Sequence, residues 1–295
     1  MAYDRNIIGW FTRGGSHIPI RQSSDFEDKT STNSSATSKY MNDLLKSSTD
    51  KKYGEIENQV AEETKKVDQR ATNELKEFKK EEVDEKKVAE RGGTNEEETK
   101  ECIRIAEKVY ADAERHEPEI SRDLIESVSS VNGKMYGLDF RMKQVTSMAG
   151  KIGSDAREDG ISYSEAGDNI KDAVRYTMIM NKDSFVKDYN NIKTMLENKG
   201  YKEVRLKNFY QMYEDGKSQQ KAIQCVYQTK DGYVFELQFH TNNSQGAKEL
   251  NHPLYEEWRK SSTDPKRKDE LDKKMKNIGI YVENPKDILT IKSHN

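Results

Sequence analysis

Cysteine and long apolar runs are scarce in this sequence, and each scarcity removes a class of protein. The two cysteines, Cys102 and Cys225, lie far apart and form no CxxC motif or Cys/His ligand set, which argues against structural zinc and a disulfide framework. This usage is typical of a reducing compartment. No apolar run approaches the roughly 20 residues of a membrane span, and the N-terminal sequence MAYDRNIIGWFTRGG lacks the apolar region of a signal peptide. We therefore expect a cytoplasmic protein.

Hydrophobic residues are also few, at 33% of the chain against 35% for charged residues. The 295 residues leave room for one or two domains, but this ratio is low for one large core. We expect one compact domain, with the remaining length in solvated helix or linker. The net charge is only −3, because basic and acidic residues nearly balance, so any anion-binding site must be local.

The N-terminal part of the chain divides into three segments. Residues 1–21 carry two apolar patches around a Gly-Gly pair and predict a hairpin or arm. Residues 22–38 are rich in Ser and Thr and predict a flexible linker. Residues 39–117 are heavily charged, with sparse apolar residues and acid–base pairs three or four apart, which predict a solvated helical stalk or loose coiled coil. Its last helix, roughly 96–116, has an apolar stripe and should pack against another element.

From about residue 118 the pattern changes to helices and strands in alternation. The helices include two near the C-terminus, at about 244–261 and 264–277. The compact domain should end near residue 262, leaving 263–295 as a C-terminal helix and tail. The fold class is therefore α+β, a small mixed and mainly antiparallel sheet flanked by helices and preceded by the charged helical region. The strand-like segments are 137–143, 169–180, 201–210, 221–229 and 232–241.

The last of these strands, GYVFELQFHT, has two unlike faces. Successive strand side chains point to opposite faces, so Glu236, Gln238 and His240 share one face. That polar face fits either an ordinary solvated surface or a functional site. The opposite face is ordinary core and consists of large apolar side chains, those of Phe235, Leu237 and Phe239.

The stretch FRMKQVTSMAGKI concentrates groups that bind phosphate. Arg141 and Lys143 are two residues apart and would point the same way on a strand. Ser147 and Lys151 are four apart and fall on one face of the helix that follows. Cations and a hydroxyl that converge near a helix N-terminus are suited to a polyphosphate, although a solvated basic edge has the same composition.

Two carboxylates on separate strands extend this pattern. Asp172 stands at the start of an apolar strand, where Asp is also common for turn reasons, and Glu236 lies on the polar face described above. Such a pair can hold Mg²⁺ through oxygen ligation, next to cations that hold the phosphates sharing the ion. Nucleotidyl or pyrophosphoryl transfer needs this set, since its catalysis is mostly positioning and charge neutralisation.

Taken in order, the string R-x-K-x3-S-x3-K, Asp172 and FELQFHT resemble the synthetase domain of the RelA/SpoT-like nucleotidyltransferase superfamily. Members of this superfamily transfer pyrophosphate from ATP to the 3′ hydroxyl of a guanine nucleotide to make alarmones. The resemblance lies within the expected domain, 118–262, which is less than half of the chain. The segment NHPLYEEWR is most similar to a toxin- and phage-associated subgroup.

The resemblance implies that Asp172 and Glu236 are the catalytic carboxylates that hold Mg²⁺, with Glu236 also helping to deprotonate the acceptor hydroxyl. It places Gln238 and His240 on the acceptor side. The other implied residues bind ATP and its phosphates: Arg141, Lys143, Ser147, Lys151 and Arg175.

The chain departs from the family at the acceptor side. The family's strand ends in arginine where this chain has His240, and the spacing from Asp172 to Arg175 is tighter. The tyrosine that stacks on the acceptor guanine has no counterpart in SQQKAIQCVYQT, although Tyr210 or Tyr213 could supply an aromatic ring. The acceptor is therefore open among guanine nucleotides, adenine nucleotides and a tRNA 3′ end.

Two classes of function remain. The first is a Mg²⁺-dependent, pyrophosphokinase-like transferase that uses ATP and a nucleotide or tRNA acceptor. The second is a phage- or prophage-associated structural or effector protein, virion-associated or delivered, whose nucleotide-binding domain is catalytically silent and whose stalk self-associates or docks on phage proteins. An ADP-ribosyltransferase is a weaker third reading, because its Arg and Ser-Thr-Ser pattern is not found in order. The five scattered histidines do not form the His-Asp cluster of a bifunctional synthetase–hydrolase.

Overall fold

The computed structural model describes residues 7–13, 16–21, 54–260 and 262–295. The chain forms two compact units, Met1–Lys52 and Tyr53–Asn295. In the first unit, β1 (Ile7–Arg13) pairs antiparallel with β2 (Ser16–Arg21), as the two apolar patches predict. The predicted linker at 22–38 and the start of the predicted stalk, 39–53, lie outside the described residues.

A five-stranded sheet forms the centre of the second unit. In spatial order its strands are β3 (Lys134–Tyr136), β4 (Arg175–Ile179), β7 (Val234–His240), β6 (Ile223–Gln228) and β5 (Lys202–Asn208). Within this sheet, β4 and β7 run parallel and the other neighbouring pairs are antiparallel. The α+β fold class with a mixed, mainly antiparallel sheet is therefore confirmed.

Helices cover both faces of this sheet, and in the described ranges none is long and apolar enough to cross a bilayer. Beyond the helix α1 over residues 54–70, they are α2 (Glu85–Gly92), α3 (Glu96–Ser129), α4 (Val145–Asp159), α5 (Tyr163–Asp168), α6 (Phe185–Lys199), α7 (Phe209–Glu214), α8 (Asn242–Trp258) and α9 (Pro265–Gly279).

The apolar face of β7 is the centre of the core. Phe235, Leu237 and Phe239 are each 0% exposed. Phe239 meets the ring of Tyr189 on α6 edge to face, with 5.2 Å between centroids. On the neighbouring strand, the hydroxyl of Tyr176 lies 2.7 Å from Ser121 Oγ on α3. Helices α3 and α6 therefore cover this face, and each large side chain buried there stabilises the fold by about 1.5–3 kcal/mol.

The charged segment is not the solvated stalk that its composition predicts. Val60, Val67 and Val88 are buried, and residues 71–84, between α1 and α2, are not helical. Helix α3 continues through Pro118, so the boundary expected there falls inside a helix. A few well-placed apolar residues are enough to dock a charged helix, because only a narrow stripe of it faces the partner.

Two further local expectations fail for identifiable reasons. The strand expected at 137–143 is absent, because Gly137 adopts a left-handed conformation (φ 66°) and turns the chain into a 3₁₀ helix, Leu138–Phe140. The strand expected at 201–210 ends at Asn208, because the short helix α7 begins at Phe209. This helix is capped by Asn208, whose side chain accepts from the backbone N–H of Gln211.

Helices α2 and α4 approach each other closely through glycines. A Cβ atom added to Gly153 would lie 2.9 Å from the Cα of Gly92, and one added to Gly150 would lie 2.8 Å from the Cδ of Arg91. The guanidinium of Arg157 also donates from Nη1 to the carbonyl of Gly92 at 2.6 Å. This contact fixes the side chain of Arg91 against the first turns of α4.

We expect Gly153→Ala to lower the free energy of unfolding by about 1–3 kcal/mol, because the added methyl group has no space against Gly92. Urea denaturation followed by circular dichroism measures this change. Gly54→Ala is the matched control, since a Cβ there has no neighbour within 4 Å, and it should be neutral or slightly stabilising. Equal stability of the two variants would show that the α2–α4 approach is not tight.

Candidate active site

Lys143 and Asp172 form an ion pair at the start of β4. Lys143 Nζ lies 2.7 Å from Asp172 Oδ2, and both side chains are mostly buried. Backbone hydrogen bonds bring the two segments together, because Lys143 N–H donates to the carbonyl of Ala173 and Arg175 N–H donates to that of Arg141. Two residues that are 29 apart in sequence are thus held in direct contact.

The charges around this pair keep Asp172 ionised. Burial by itself would raise the pKa of Asp172, but Lys143, Arg175 and Lys151 together lower it below its usual value. Burial, together with the charges of Arg175 and Arg91, lowers the pKa of Lys143, although Asp172 acts in the opposite direction. Asp172 is therefore an available carboxylate at neutral pH, and its cationic partner is held at an electrostatic cost.

Ser147 and Lys151, on α4, complete a group that we call the α4 cluster, which consists of Lys143, Ser147, Lys151 and Asp172. Ser147 Oγ accepts a hydrogen bond from Arg91 Nη1 at 3.1 Å. Lys151 forms an ion pair with Asp155 one helical turn further on. The structure thus brings together most of the predicted phosphate-binding residues, and each of them already has a partner within the protein.

Arg141 has different surroundings. Its side chain is buried, with Nε 2.5 Å from Glu117 Oε1 on α3. Its Nη1 donates to the carbonyls of Lys76 and Leu138. The strand on which Arg141 and Lys143 were expected to point the same way is absent, because Arg141 has helical backbone angles. The two side chains have separate partners, Glu117 and Asp172. A direct role of Arg141 in binding ATP stays a prediction.

The polar face of β7 is buried and forms a hydrogen-bonded chain that we call the strand network: Gln224, Glu236, Gln238 and Lys248. The two oxygens of Glu236 accept from Gln224 Nε2 and from Gln238 Nε2, each at 2.5 Å. Gln238 Oε1 in turn accepts from Lys248 Nζ at 2.5 Å. These bonds fix the orientation of the Glu236 carboxylate, and the polar residues of β7 are thus neither surface nor apolar core.

Arg175 links the α4 cluster to the strand network. It stands opposite Glu236 in the parallel register of β4 and β7. Its charge contributes to the lowered pKa values of both Asp172 and Lys248. Asp172 and Glu236, with these cations around them, therefore lie toward the N-terminal ends of the parallel strands β4 and β7.

Lys248 is a member of this site that the sequence motifs do not include. It lies on α8, which packs against α1 so closely that a Cβ on Gly246 would lie 2.8 Å from the backbone nitrogen of Thr64. Burial, followed by the charge of Arg175, lowers the pKa of Lys248 to about 8. Helical spacing is the sequence feature that could have predicted Lys248 as a site residue. Ser244 and Lys248 are four apart, so they share one face of α8, and both contact residues of β7.

His240 lies at the end of β7 and is fully buried. Its Nδ1 is 2.9 Å from Ser244 Oγ, while its Nε2 has no hydrogen-bond partner among the described residues. Burial lowers the pKa of His240 well below its usual value, so the ring is neutral. His240 therefore does not replace the positive charge of the arginine that the RelA/SpoT-like pattern has at this position.

The tyrosines proposed as a stacking platform are not exposed for that role. Tyr210 is fully buried and packs edge to face on Phe185 at 6.2 Å. The hydroxyl of Tyr213 donates to the carbonyl of Lys276, and Lys221 Nζ lies 4.5 Å from the centre of its ring. Neither ring offers a free face in the way that a stacked purine requires.

The metal-binding capacity of the site is limited to few ligands. In the described part of the second unit, no three His, Cys, Asp or Glu side chains are grouped so that they could hold a metal ion. Any cation held by Asp172 or Glu236 would therefore need further ligands, from water or from a substrate. Two carboxylates plus substrate phosphates is a common way for proteins to bind Mg²⁺.

Comparison with known proteins gives little further information. No family model matches the chain, and no curated protein matches it. Among solved structures, the chain is similar to the crystal structure of the complex between the Type VI effector Tas1 and its immunity protein. The TM-score is 0.38 and the identity is 17%, over 59% of this chain and 94% of that chain. A similarity at this TM-score supports no conclusion about the fold or the activity of this chain.

We expect the charge of Lys248 to lower stability at neutral pH. Its folded pKa of about 8 lies below the ordinary 10.5, so the folded protein binds fewer protons than the unfolded chain between these values, and stability rises with pH across that window. The free energy of unfolding of the wild type, minus that of Lys248→Met, should rise by up to about 3 kcal/mol from pH 7.5 to 10.5. Chemical denaturation at several pH values measures this difference.

Lys108→Met is the control for this titration, because Lys108 is exposed. Its stability difference from the wild type should stay flat with pH. A flat difference for Lys248→Met as well would mean that Lys248 titrates normally and is not desolvated.

Proposed function

We propose that the chain is a Mg²⁺-dependent, pyrophosphokinase-like transferase that moves pyrophosphate from ATP to the 3′ hydroxyl of a nucleotide or of a tRNA end. The observation that supports this proposal is the pairing of β4 with β7, in which Arg175 stands opposite Glu236. The charge of Arg175 acts on Asp172 in the α4 cluster and on Lys248 in the strand network. One half of the site offers cations for a polyphosphate. The other half offers a carboxylate fixed by two amide donors.

The donor nucleotide would be held by the α4 cluster and Arg175. Lys143, Lys151 and Arg175 supply positive charge, and Ser147 supplies a hydroxyl near the start of α4, where backbone N–H groups favour anions. Because Lys143 is already paired with Asp172, phosphate binding would exchange one partner for another. Arg141 would support this arrangement through its carbonyl, which accepts the backbone N–H of Arg175.

Mg²⁺ fits the donor set of this site. Asp172 and Glu236 both offer hard carboxylate oxygens, and Asp172 is kept ionised by its neighbours. When bound, Mg²⁺ would neutralise negative charge on the phosphates during transfer. Lys143 would then be free to contact the phosphates, because the ion would take its place at Asp172.

In the proposed reaction, the 3′ oxygen of the acceptor attacks the β-phosphorus of ATP. The bond from that phosphorus to the oxygen bridging the α-phosphorus breaks, and AMP leaves. Glu236 would accept the proton of the attacking hydroxyl, at the position where Gln224 and Gln238 hold its carboxylate. Lys248 keeps the carbonyl of Gln238 turned toward itself, so that the amide N–H of Gln238 faces Glu236.

The decisive assay uses ATP labelled at the β- or γ-phosphate, with GDP, GTP, AMP, ADP and bulk tRNA as acceptors. Both labels should reach one class of acceptor, with AMP as the second product. Glu236→Gln should reduce the transfer by at least about 100-fold, because it removes the proposed general base. Its fold is checked by thermal denaturation.

Glu101→Gln is the control for this assay, because it makes the same substitution on the exposed face of α3, where Glu101 pairs with Arg104. It should leave the transfer unchanged. Full activity of Glu236→Gln would refute the proposed role of this carboxylate.

A catalytically silent nucleotide-binding domain in a phage-associated structural or effector protein is the alternative. The observation that favours it is the internal pairing of the cluster, in which Lys143, Ser147 and Lys151 contact Asp172, Arg91 and Asp155 respectively. A pseudo-site stabilised by its own ion pairs would have this appearance. Binding of ATP without label transfer to any acceptor would establish this alternative.

Lys143→Met should change the affinities for Mg²⁺ and ATP in opposite directions. Without nucleotide, the variant should bind Mg²⁺ about tenfold more tightly, because Asp172 loses a competing charge-assisted hydrogen bond worth roughly 1.5–3 kcal/mol. In the presence of Mg²⁺, it should bind ATP more weakly, because a phosphate contact is lost. Isothermal titration calorimetry measures both affinities, with Lys108→Met as control. Parallel changes of the two affinities would contradict the exchange of partners at Asp172.

A further inference from the structure

Arg91 lies at the edge of the α4 cluster, although it comes from α2, in the segment that the sequence predicts to be a stalk. Its Nη1 donates to the carbonyl of Ser147 at 2.9 Å and to the hydroxyl of the same residue at 3.1 Å. The stem of the side chain lies against Gly150, where no other residue would leave room for it. The guanidinium is therefore held beside the hydroxyl that is expected to contact phosphate.

The charges around Arg91 suit an anionic ligand. Burial and the nearby charge of Arg259, at the end of α8, lower the pKa of Arg91, while Glu256, Asp155 and Asp172 act in the opposite direction. Arg259 is itself paired with Glu256, whereas Arg91 forms no ion pair in the part of the chain that the structure describes. A phosphate would supply that missing partner in partly dehydrated surroundings. Arginine also binds phosphate through two parallel N–H donors, which makes it well suited to this position.

We propose that Arg91 is a phosphate-binding residue of this site, so that α2 completes the subsite for the triphosphate of the donor nucleotide. The inference rests on the proposed function and extends it to a segment outside the RelA/SpoT-like resemblance. When a triphosphate binds, Arg91 would move one of its donors from Ser147 to a phosphate oxygen. Ser147 would then be free to contact the same ligand.

A purely structural role is the competing explanation, because Arg91 also ties α2 to α4. The structure offers a matched control for that role in Arg157. Arg157 makes the reciprocal tie, from α4 back to α2, by donating from Nη1 to the carbonyl of Gly92. If Arg91 acts only as a tie, neutralising either arginine should have the same effect on ligand binding.

The test measures binding of two probes to the full-length chain by isothermal titration calorimetry. The first is α,β-methylene-ATP, which resists cleavage at the bond of interest, and the second is inorganic triphosphate, which lacks the base and sugar. Each is titrated with Mg²⁺ into the wild type, Arg91→Gln, Arg91→Lys and Arg157→Gln. Denaturation curves confirm that each variant folds.

Arg91→Gln should weaken both probes by about tenfold or more, the effect of losing one charge-assisted hydrogen bond. Arg91→Lys should recover part of this loss, because it keeps the charge without the paired donors. Arg157→Gln should bind both probes as the wild type does. Equal weakening in Arg91→Gln and Arg157→Gln, or no weakening in Arg91→Gln, would overturn the inference and leave the transferase proposal intact.

Two further outcomes separate the inference from the proposed function. If the wild type binds the probes, Arg91→Gln alone weakens them, and no acceptor is labelled from ATP, then Arg91 binds phosphate in a protein that is not a transferase. If the wild type binds neither probe, the phosphate-binding role of Arg91 is refuted together with the proposed donor site.

Discussion

The parallel pairing of β4 with β7 is the constraint on which the rest of the candidate site depends. These strands are far apart in the chain and lie side by side in a sheet that is otherwise antiparallel. Their register sets Arg175 opposite Glu236, and the loop before β4 then presents Asp172 to Lys143. A slip of one residue would turn Glu236 to the apolar face, so the same hydrogen bonds that build the sheet also select the residues of the site.

The polar face of β7 shows how a buried polar row can be tolerated. Glu236 and Gln238 are almost completely buried, yet their side chains satisfy each other and extend to Gln224 and Lys248. A network of this kind stabilises a unique arrangement only when every member has a partner. At the margin of this network, and counting partners within the described residues, the buried atoms His240 Nε2, Asn242 Oδ1 and Gln245 Oε1 have no hydrogen-bond partner. The site is thus rigid at its carboxylate and less completely paired at the end of the strand.

The sequence was sufficient for the fold class and for the two faces of β7. It also grouped Lys143 with Asp172, and the structure joins these two residues in an ion pair. It was not sufficient where long-range partners decide the outcome. Arg141 belongs to a strong local motif, but Glu117 on α3 takes up its guanidinium. Arg91 and Lys248 lie outside every motif and reach the site through the packing of α2 on α4 and of α8 on α1. The charge-rich composition of residues 54–117 also led to the wrong prediction of a solvated stalk. A few buried valines are enough to pack this segment against the core, although it is polar on average.

Helix α8 connects two cations that are used in different parts of the candidate site. It carries Lys248 at the strand network and Arg259, its C-cap residue, near Arg91. The two are eleven positions apart, which corresponds to about 16 Å along the axis of a regular helix. Both residues lie on one helix, so their spacing depends on the length of α8 and on its bend at Pro253. Inserting a single residue between Lys248 and Arg259 would rotate one end of α8 by about 100° relative to the other. The number of residues in this helix therefore sets the relative orientation of the two side chains.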